Sequence, residues 1–312
     1  MNPPVHDANM RSVSVRTLAA SVALLALSGT SACAQASDPP IQPYPPALCP
    51  SCAAWNEPHA PVKIHGNTYY VGTNGLSAIL VASPDGHVLI DGALPNSAPL
   101  ILDNIRALGF DVRDVRLILN SHVHYDHAGG LAALQAASGA QVAASVLSAG
   151  VLERGRSEVG DPQHGELLDF PPVRNVRRFA DGETLRVGPL ALTAHLTPGH
   201  TQGGTTWTWK SCEGAACVDV VYADSHSPIS ANGFRFTDSP AYPGAVADFE
   251  RGFRTLEALS CDILITPHPS GSALFERLDG RQPLVDPNAC KRYAAAGRER
   301  LRTRLETERA PR

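Results

Sequence analysis

The chain has 312 residues, of which 43% are hydrophobic and 18% charged, and its formal net charge is −4. Those values are ordinary for a soluble globular protein able to bury one large core or two halves. No basic run, aromatic-interleaved patch or low-complexity tract occurs, which argues against a nucleic-acid partner.

The N-terminus reads as an export signal. Arg11 and Arg16 precede an apolar core from Leu18 to Leu27, followed by small residues ending in Ala34-Gln35-Ala36. We place the cleavage after Ala36. The apolar core is shorter than the ~20 residues a membrane-spanning helix needs, so no stable membrane insertion is expected once the signal is removed. Met10 offers a second start. Cys33 raises a lipoprotein alternative, weakened because Thr30 stands where the lipid-attachment motif wants Leu or similar.

Removal of residues 1–36 leaves six cysteines, and an even number in an exported chain favours disulfides. We pair Cys212 with Cys217 across a short turn, Cys261 with Cys290 between a late strand and the last helix, and Cys49 with Cys52. A zinc ribbon built from Cys49, Cys52, Cys212 and Cys217 is the competing arrangement, disfavoured by an oxidising compartment.

Residues 37–61 are rich in Pro and Ala and read as an extended tail, so the domain is expected over 62–312. Val62 to His65, Thr68 to Val71, Ser77 to Val81 and His87 to Ile90 are separated by turn residues and predict an antiparallel meander. Pro95 to Gly109 carries Leu100, Ile101, Ile105 and Leu108 at helical spacing. Val115 to Leu119 has the length and branching of a buried strand.

The next residues hold the densest chemistry in the chain. His122, His124, Asp126 and His127 fall within six positions on the loop leaving that strand, before Gly129-Gly130 and a helix to about Ser138. Imidazoles grouped with a carboxylate suit zinc, with iron or manganese as competitors. A strand at Gln141 to Ala144 and a helix around Ser145 to Arg154 lead into a polar loop, Gly155 to Pro172, of a length that often lines a cleft.

A second strand-rich half begins near Val176 and runs through Leu190 to Leu196 to Thr197-Pro198-Gly199-His200. Strands at Thr205 to Lys210 and Val218 to Tyr222 precede Ala223-Asp224-Ser225-His226-Ser227. A helix, Ala245 to Leu259, a strand, Asp262 to Thr266, then Pro267-His268 and a final helix from about Cys290 complete the pattern. With halves at about 62–175 and 176–312 and every candidate ligand at a strand end, the expected fold is α/β, two sheets packed face to face with helices outside.

His-x-His-x-Asp-His at 122–127, Gly199-His200 and His268 after an apolar strand resemble the metallo-β-lactamase superfamily over roughly residues 62–310. Thr197-Pro-Gly-His-Thr, Trp207-Thr-Trp, Tyr222-Ala-Asp-Ser, Phe234-Arg-Phe and Cys261-Asp-Ile-Leu-Ile-Thr-Pro-His look like the third subclass of class B β-lactamases, di-zinc enzymes of the bacterial periplasm. The resemblance implies a four-layer αβ/βα sandwich of two mixed sheets. It implies one zinc on His122, His124 and His200 and a second on Asp126, His127 and His268. A metal-bound hydroxide, oriented by Asp126, would open the lactam ring of penicillins, cephalosporins or carbapenems, with Ser225 and Ser227 on the substrate carboxylate. The expected state is a periplasmic monomer conferring antibiotic resistance.

In that subclass the residue between the two serines is usually apolar, whereas this chain has His226, expected to be solvated. His195 is expected to be a satisfied core residue, His164 a loop residue that could meet substrate, and His6, His59, His65 and His87 surface or removed. In glyoxalase-like hydrolases of the superfamily an Asp in this half bridges the metals; here Asp224 is expected to serve in structural hydrogen bonding. A bridging Asp224 would favour a lactone or thioester hydrolase instead. A serine β-lactamase is excluded, because the positions three before Lys63, Lys210 and Lys291 are Ala60, Trp207 and Asn288. A secreted, non-catalytic zinc protein would need closed coordination, which two sets of three ligands do not suit.

Overall fold

The computed structural model describes residues 42–310. The expected export signal, with Cys33 and His6, lies outside the described residues. Strands β1 (Val62–His65), β2 (Thr68–Tyr70), β3 (Ile79–Val81) and β4 (His87–Ile90) form the antiparallel meander their turn residues predict. β5 (Val115–Leu119), β6 (Gln141–Ser145) and β7 (Arg177–Phe179) add in parallel and complete a seven-stranded sheet in the order β1 to β7.

Parallel neighbours need crossover connections, and helices supply them. α1 (Cys52–Trp55) lies before the sheet; α2 (Ala98–Ala107) joins β4 to β5, α3 (Tyr125–Ala128) and α4 (Leu131–Ser138) join β5 to β6, and α5 (Val146–Arg154) joins β6 to β7. The second sheet has β8 (Thr184–Val187), β9 (Leu190–Leu196), β10 (Thr205–Glu213), β11 (Ala216–Tyr222) and β12 (Ile263–Ile265), in the order β12-β11-β10-β9-β8. α6 (Ala245–Ala258) connects the parallel pair β11 and β12, and α7 (Leu274–Leu278) and α8 (Ala289–Arg309) follow.

Side-chain alternation sorts the core into three apolar clusters. Along β11, Val220 and Tyr222 point between the sheets, while Val221 packs outward against Phe249 and Phe253 of α6 and Ala294 of α8. Along β5, Leu117 and Leu119 face the other sheet, and Ile118 faces Ile101 of α2 and Leu131 of α4. Three clusters separate four layers, helix on sheet on sheet on helix.

Three details differ from expectation. β7, placed by its position beyond residue 175 in the second half, closes the first sheet by pairing with β6. The stretch expected as an extended tail is packed, for Cys49 and Cys52 are buried in the first cluster and α1 sets the Trp55 ring 5.2 Å from that of His268. His87 is buried rather than superficial, its Nδ1 accepting from the backbone of Ser83 and its ring edge-on to Phe110. The three expected cysteine pairs are bonded, with Cys212 facing Cys217 across the β10–β11 hairpin. Among the described residues no helix is long and apolar enough to cross a membrane.

Candidate metal centre

β10 runs antiparallel to both β9 and β11, and β12 is parallel to β11, so β9, β11 and β12 share one direction. Their C-terminal ends therefore deliver His200, Ser225 and His268 to one edge of the sandwich. The loop after β5 reaches the same edge, where Thr205 N–H donates to the Ser121 carbonyl at 2.8 Å.

Beneath that loop lies a buried polar strut. Asp91, at φ +62°, accepts from Ser121 N (2.7 Å), Ser121 Oγ (2.6 Å), Asn120 Nδ2 (3.1 Å) and the Tyr222 hydroxyl (2.7 Å). Trp207 Nε1 donates to the Asn120 carbonyl at 3.1 Å. A positive φ at a non-glycine residue is costly and persists only where its surroundings over-determine it, as four donors do here. Gly130 explains itself by close approach: a Cβ there would stand 2.2 Å from the Gly92 carbonyl oxygen.

Two three-residue clusters result. His122, His124 and His200 form one, and Asp126, His127 and His268 the other, the ligand atoms of each lying within 4.8 Å of one another. The first three ring centroids are 4.8, 4.8 and 4.9 Å apart, nearly an equilateral triangle. His127 stands 4.3 Å from His122, so the clusters share a wall. In the second, Asp126 Oδ2 is 3.1 Å from His127 Nε2 and 3.3 Å from His268 Nε2.

Each ring of the first cluster has one nitrogen committed behind it. His122 Nδ1 donates to Asp224 Oδ1 at 2.7 Å, His124 Nε2 to Asp161 Oδ2 at 3.0 Å, and His200 Nδ1 to the Ser227 carbonyl at 2.8 Å. His268 Nδ1 donates to the Gly75 carbonyl at 3.1 Å. Such partners fix tautomer and ring orientation, leaving the opposite nitrogen for an ion. Glycine again permits the geometry: Gly199 has φ +139°, and a Cβ on it would meet the Phe249 ring at 2.6 Å.

Burial, then the neighbouring imidazoles, hold His122 well below the usual histidine range, and burial with the His124 ring pushes His200 down to about 3. Neutral imidazole is the ligating form. His124 moves the other way, burial being outweighed by the Asp161 carboxylate. Burial would raise Asp126, but His127 and His268 beside it hold its carboxyl well below the usual range. Nε2 of His122 and Nδ1 of His127 are buried without a hydrogen-bond partner among the described residues. A buried set of three imidazoles beside a carboxylate with two imidazoles fits metal ligation, which would satisfy those orphaned atoms.

The description of the metallo-beta-lactamase superfamily matches residues 71–268. The chain belongs to that superfamily. Among solved structures it resembles Rm3 metallo-beta-lactamase, at 53% identity and a TM-score of 0.82, covering 84% of this chain and 99% of that one. It also resembles MEM-A1, a subclass B3 metallo-beta-lactamase isolated from a soil metagenome library, at 50% identity and a TM-score of 0.80, covering 81% of this chain and 98% of that one. A hydroxyacylglutathione hydrolase of Anaeromyxobacter dehalogenans is 31% identical over 139 residues, 45% of this chain and 44% of that protein, so the chain spans under half the length of this relative. As a superfamily member with subclass B3 structural relatives, the protein is a metal-binding hydrolase of the metallo-β-lactamase type.

Within this metallo-β-lactamase domain Asp224 belongs to neither cluster: it is fully buried behind His122, and its Oδ2 faces Gly204, where a Cβ would come within 2.2 Å. His226 is a correction. Expected to be solvated, it is fully buried, Nδ1 donating to the Asp224 carbonyl at 2.8 Å and the ring packed near Phe253 and Tyr293. His195 is half-buried and bonded to Thr208 Oγ1 at 2.9 Å, and His164 is exposed and bonded to Ser157 Oγ at 3.0 Å. Ser225 and Ser227 line a cavity of about 230 Å³ together with His268. Asp161 was not singled out from the sequence, because its bond to His124 spans 37 positions and leaves no local signature.

Proposed function

We propose that this protein is an exported di-zinc β-lactamase that hydrolyses the lactam ring of penicillins, cephalosporins and carbapenems in the bacterial periplasm and so confers antibiotic resistance. The observation that carries the choice among hydrolases of this fold is the place of Asp224. Its Oδ1 is spent on the rear nitrogen of His122, and it contributes to neither cluster, as expected of the β-lactamases rather than of enzymes in which an Asp bridges the ions. Similarity to metallo-β-lactamases at 50–53% identity supports the same reading.

His122, His124 and His200 would hold one zinc, and Asp126, His127 and His268 the other. Bound there, the ions would supply an activated water at neutral pH and a Lewis acid toward the lactam carbonyl. Asp126, held ionised between two imidazoles, would accept a hydrogen bond from that water and so aim its lone pair at the carbonyl carbon. The water's oxygen would join the carbonyl carbon, the C–N bond would break, and the ring nitrogen would take up from solvent the proton that the activated water had released. Ser225 and Ser227 fix the substrate by its carboxylate from the adjoining cavity. No residue of the chain becomes acylated.

The test is hydrolysis of a carbapenem and a cephalosporin by the chain from Ser37 onward, with added zinc and again after chelation and dialysis, beside a glutathione thioester. Chelator-sensitive ring opening, restored by zinc, is expected. Thioester turnover without lactam turnover would sink the reading in favour of a second one, a thioester or lactone hydrolase, which the partial likeness to a hydroxyacylglutathione hydrolase motivates.

A further inference from the structure

α8 is laced with ion pairs. Arg292 pairs with Asp286, Arg298 with Glu250 and Glu257, Arg302 with Glu299 and Glu306, and Arg304 with Glu308. Arg300, in the middle of the same helix, has no carboxylate within the 4.0 Å of an ion pair among the described residues; its guanidinium makes one long contact, 3.4 Å, with the His226 carbonyl. It also lines the cavity of about 230 Å³ that holds Ser225, Ser227 and His268. None of the three lysines lines that cavity. The space beside the second cluster is thus walled by a candidate metal ligand, His268, by the hydroxyl-bearing Ser225, Ser227, Thr266 and Tyr293, and by one guanidinium with no carboxylate partner among the described residues.

The buried His226 explains how the helix that carries the exposed Arg300 is set against the two serines. A Cβ on Gly252 of α6 would come 2.8 Å from His226 Nε2, and one on Gly297 of α8 would come 3.3 Å from its Cβ, so both helices are notched to receive the ring. His226 Nδ1 and the Tyr293 hydroxyl both donate to the Asp224 carbonyl, at 2.8 and 3.1 Å. Segment 224–227 is therefore bound to α8, which fixes Arg300 relative to Ser225 and Ser227.

We propose that Arg300 is a specificity-determining residue: its guanidinium receives the carboxylate of the β-lactam substrate beside the two serines. This rests on the β-lactamase reading above. A planar guanidinium offers paired donors matching the two oxygens of a carboxylate, and charge-assisted bonds of that kind are among the strong ones. Because His268 borders both the second cluster and this cavity, a substrate seated with its lactam carbonyl at the clusters would have its ring carboxylate within this cavity's reach.

The experiment compares the zinc-loaded parent with Arg300→Met and Arg300→Lys on a cephalosporin and on its carboxylate methyl ester, at low and high ionic strength. For the acid, Arg300→Met should raise KM about tenfold with kcat little changed, the loss of a charged hydrogen bond that serves ground state and transition state alike. Arg300→Lys should fall between. The ester should show no difference among the three proteins, and salt should narrow the gap for the acid. Zinc content and thermal midpoint, measured alongside, should match the parent. An unchanged KM for the acid in Arg300→Met, or an equal rise for acid and ester, would overturn the assignment while parental turnover leaves the β-lactamase reading standing. If the parent opens no lactam at all, that reading fails and takes this one with it.

Discussion

Asp161 accepts a hydrogen bond from His124 Nε2 at 3.0 Å, from a loop 37 residues further along the chain. With the proton held on Nε2, Nδ1 of His124 faces the other rings of its cluster. The pair is buried, His124 at 3% exposure and Asp161 at 8%. Burial would raise the Asp161 carboxyl, but the His124 ring beside it holds it below the usual range. Removing such a rear partner typically weakens metal binding ~10–100-fold. Asp161→Ala should show that loss in a competition titration against a chromophoric zinc chelator, and Asp161→Asn, which keeps an acceptor oxygen, a smaller one. Equal affinity in parent and Asp161→Ala would remove Asp161 from the support of the site.

His200 closes the triangle of the first cluster and comes from the second sheet. His200→Ala should lower bound zinc from about two per chain to about one, by the three-ligand logic of open zinc sites, and abolish most lactam turnover. Metal analysis after dialysis reads the first effect and steady-state kinetics the second. Unchanged metal content with full turnover would contradict the ligand assignment.

His226 makes a prediction about acid stability. Burial pushes it down to about 4 from an ordinary value of 6.5. The unfolded chain therefore binds a proton, between those values, that the folded chain refuses. The sign follows: stability is full above pH 6.5 and falls as the pH drops toward about 4, by roughly 3 kcal/mol in all from this one group. His226→Gln keeps polar atoms but does not titrate there, so its urea midpoint should decline less steeply than the parent's between pH 6.5 and 4. Parallel pH slopes would show that His226 is not a neutral buried imidazole.

The grouping of the candidate ligands could be read before any fold was known, because the loop at 122–127 concentrates four of them in six positions and His200 and His268 each follow an apolar strand. The succession of strands and helices, with every candidate ligand at a strand end, likewise pointed to two sheets with helices outside. What stayed hidden was held by contacts between distant segments. Asp161 is one carboxylate in a polar loop until that loop folds onto His124. Arg300 is one arginine in a charge-rich helix, and only the partners of its neighbours single it out. His226, flanked by serines, reads as a loop residue; the notch that buries it is cut by Gly252 and Gly297 on two later helices. β7 was assigned to the wrong half because strand order, unlike strand existence, depends on what pairs with what.

The strut from Tyr222 and Trp207 to Asp91 and Asn120 joins the metal loop of the first sheet to the middle of the second. Each cluster draws on both halves, His200 completing one and His268 the other. A nascent chain carries the loop at 122–127 long before either partner emerges, so a fragment ending before residue 200 possesses neither complete ligand set. Ion capture at these candidate clusters would thus register that synthesis and docking are finished, and the free energy of metal binding would act as adhesion between the two sheets.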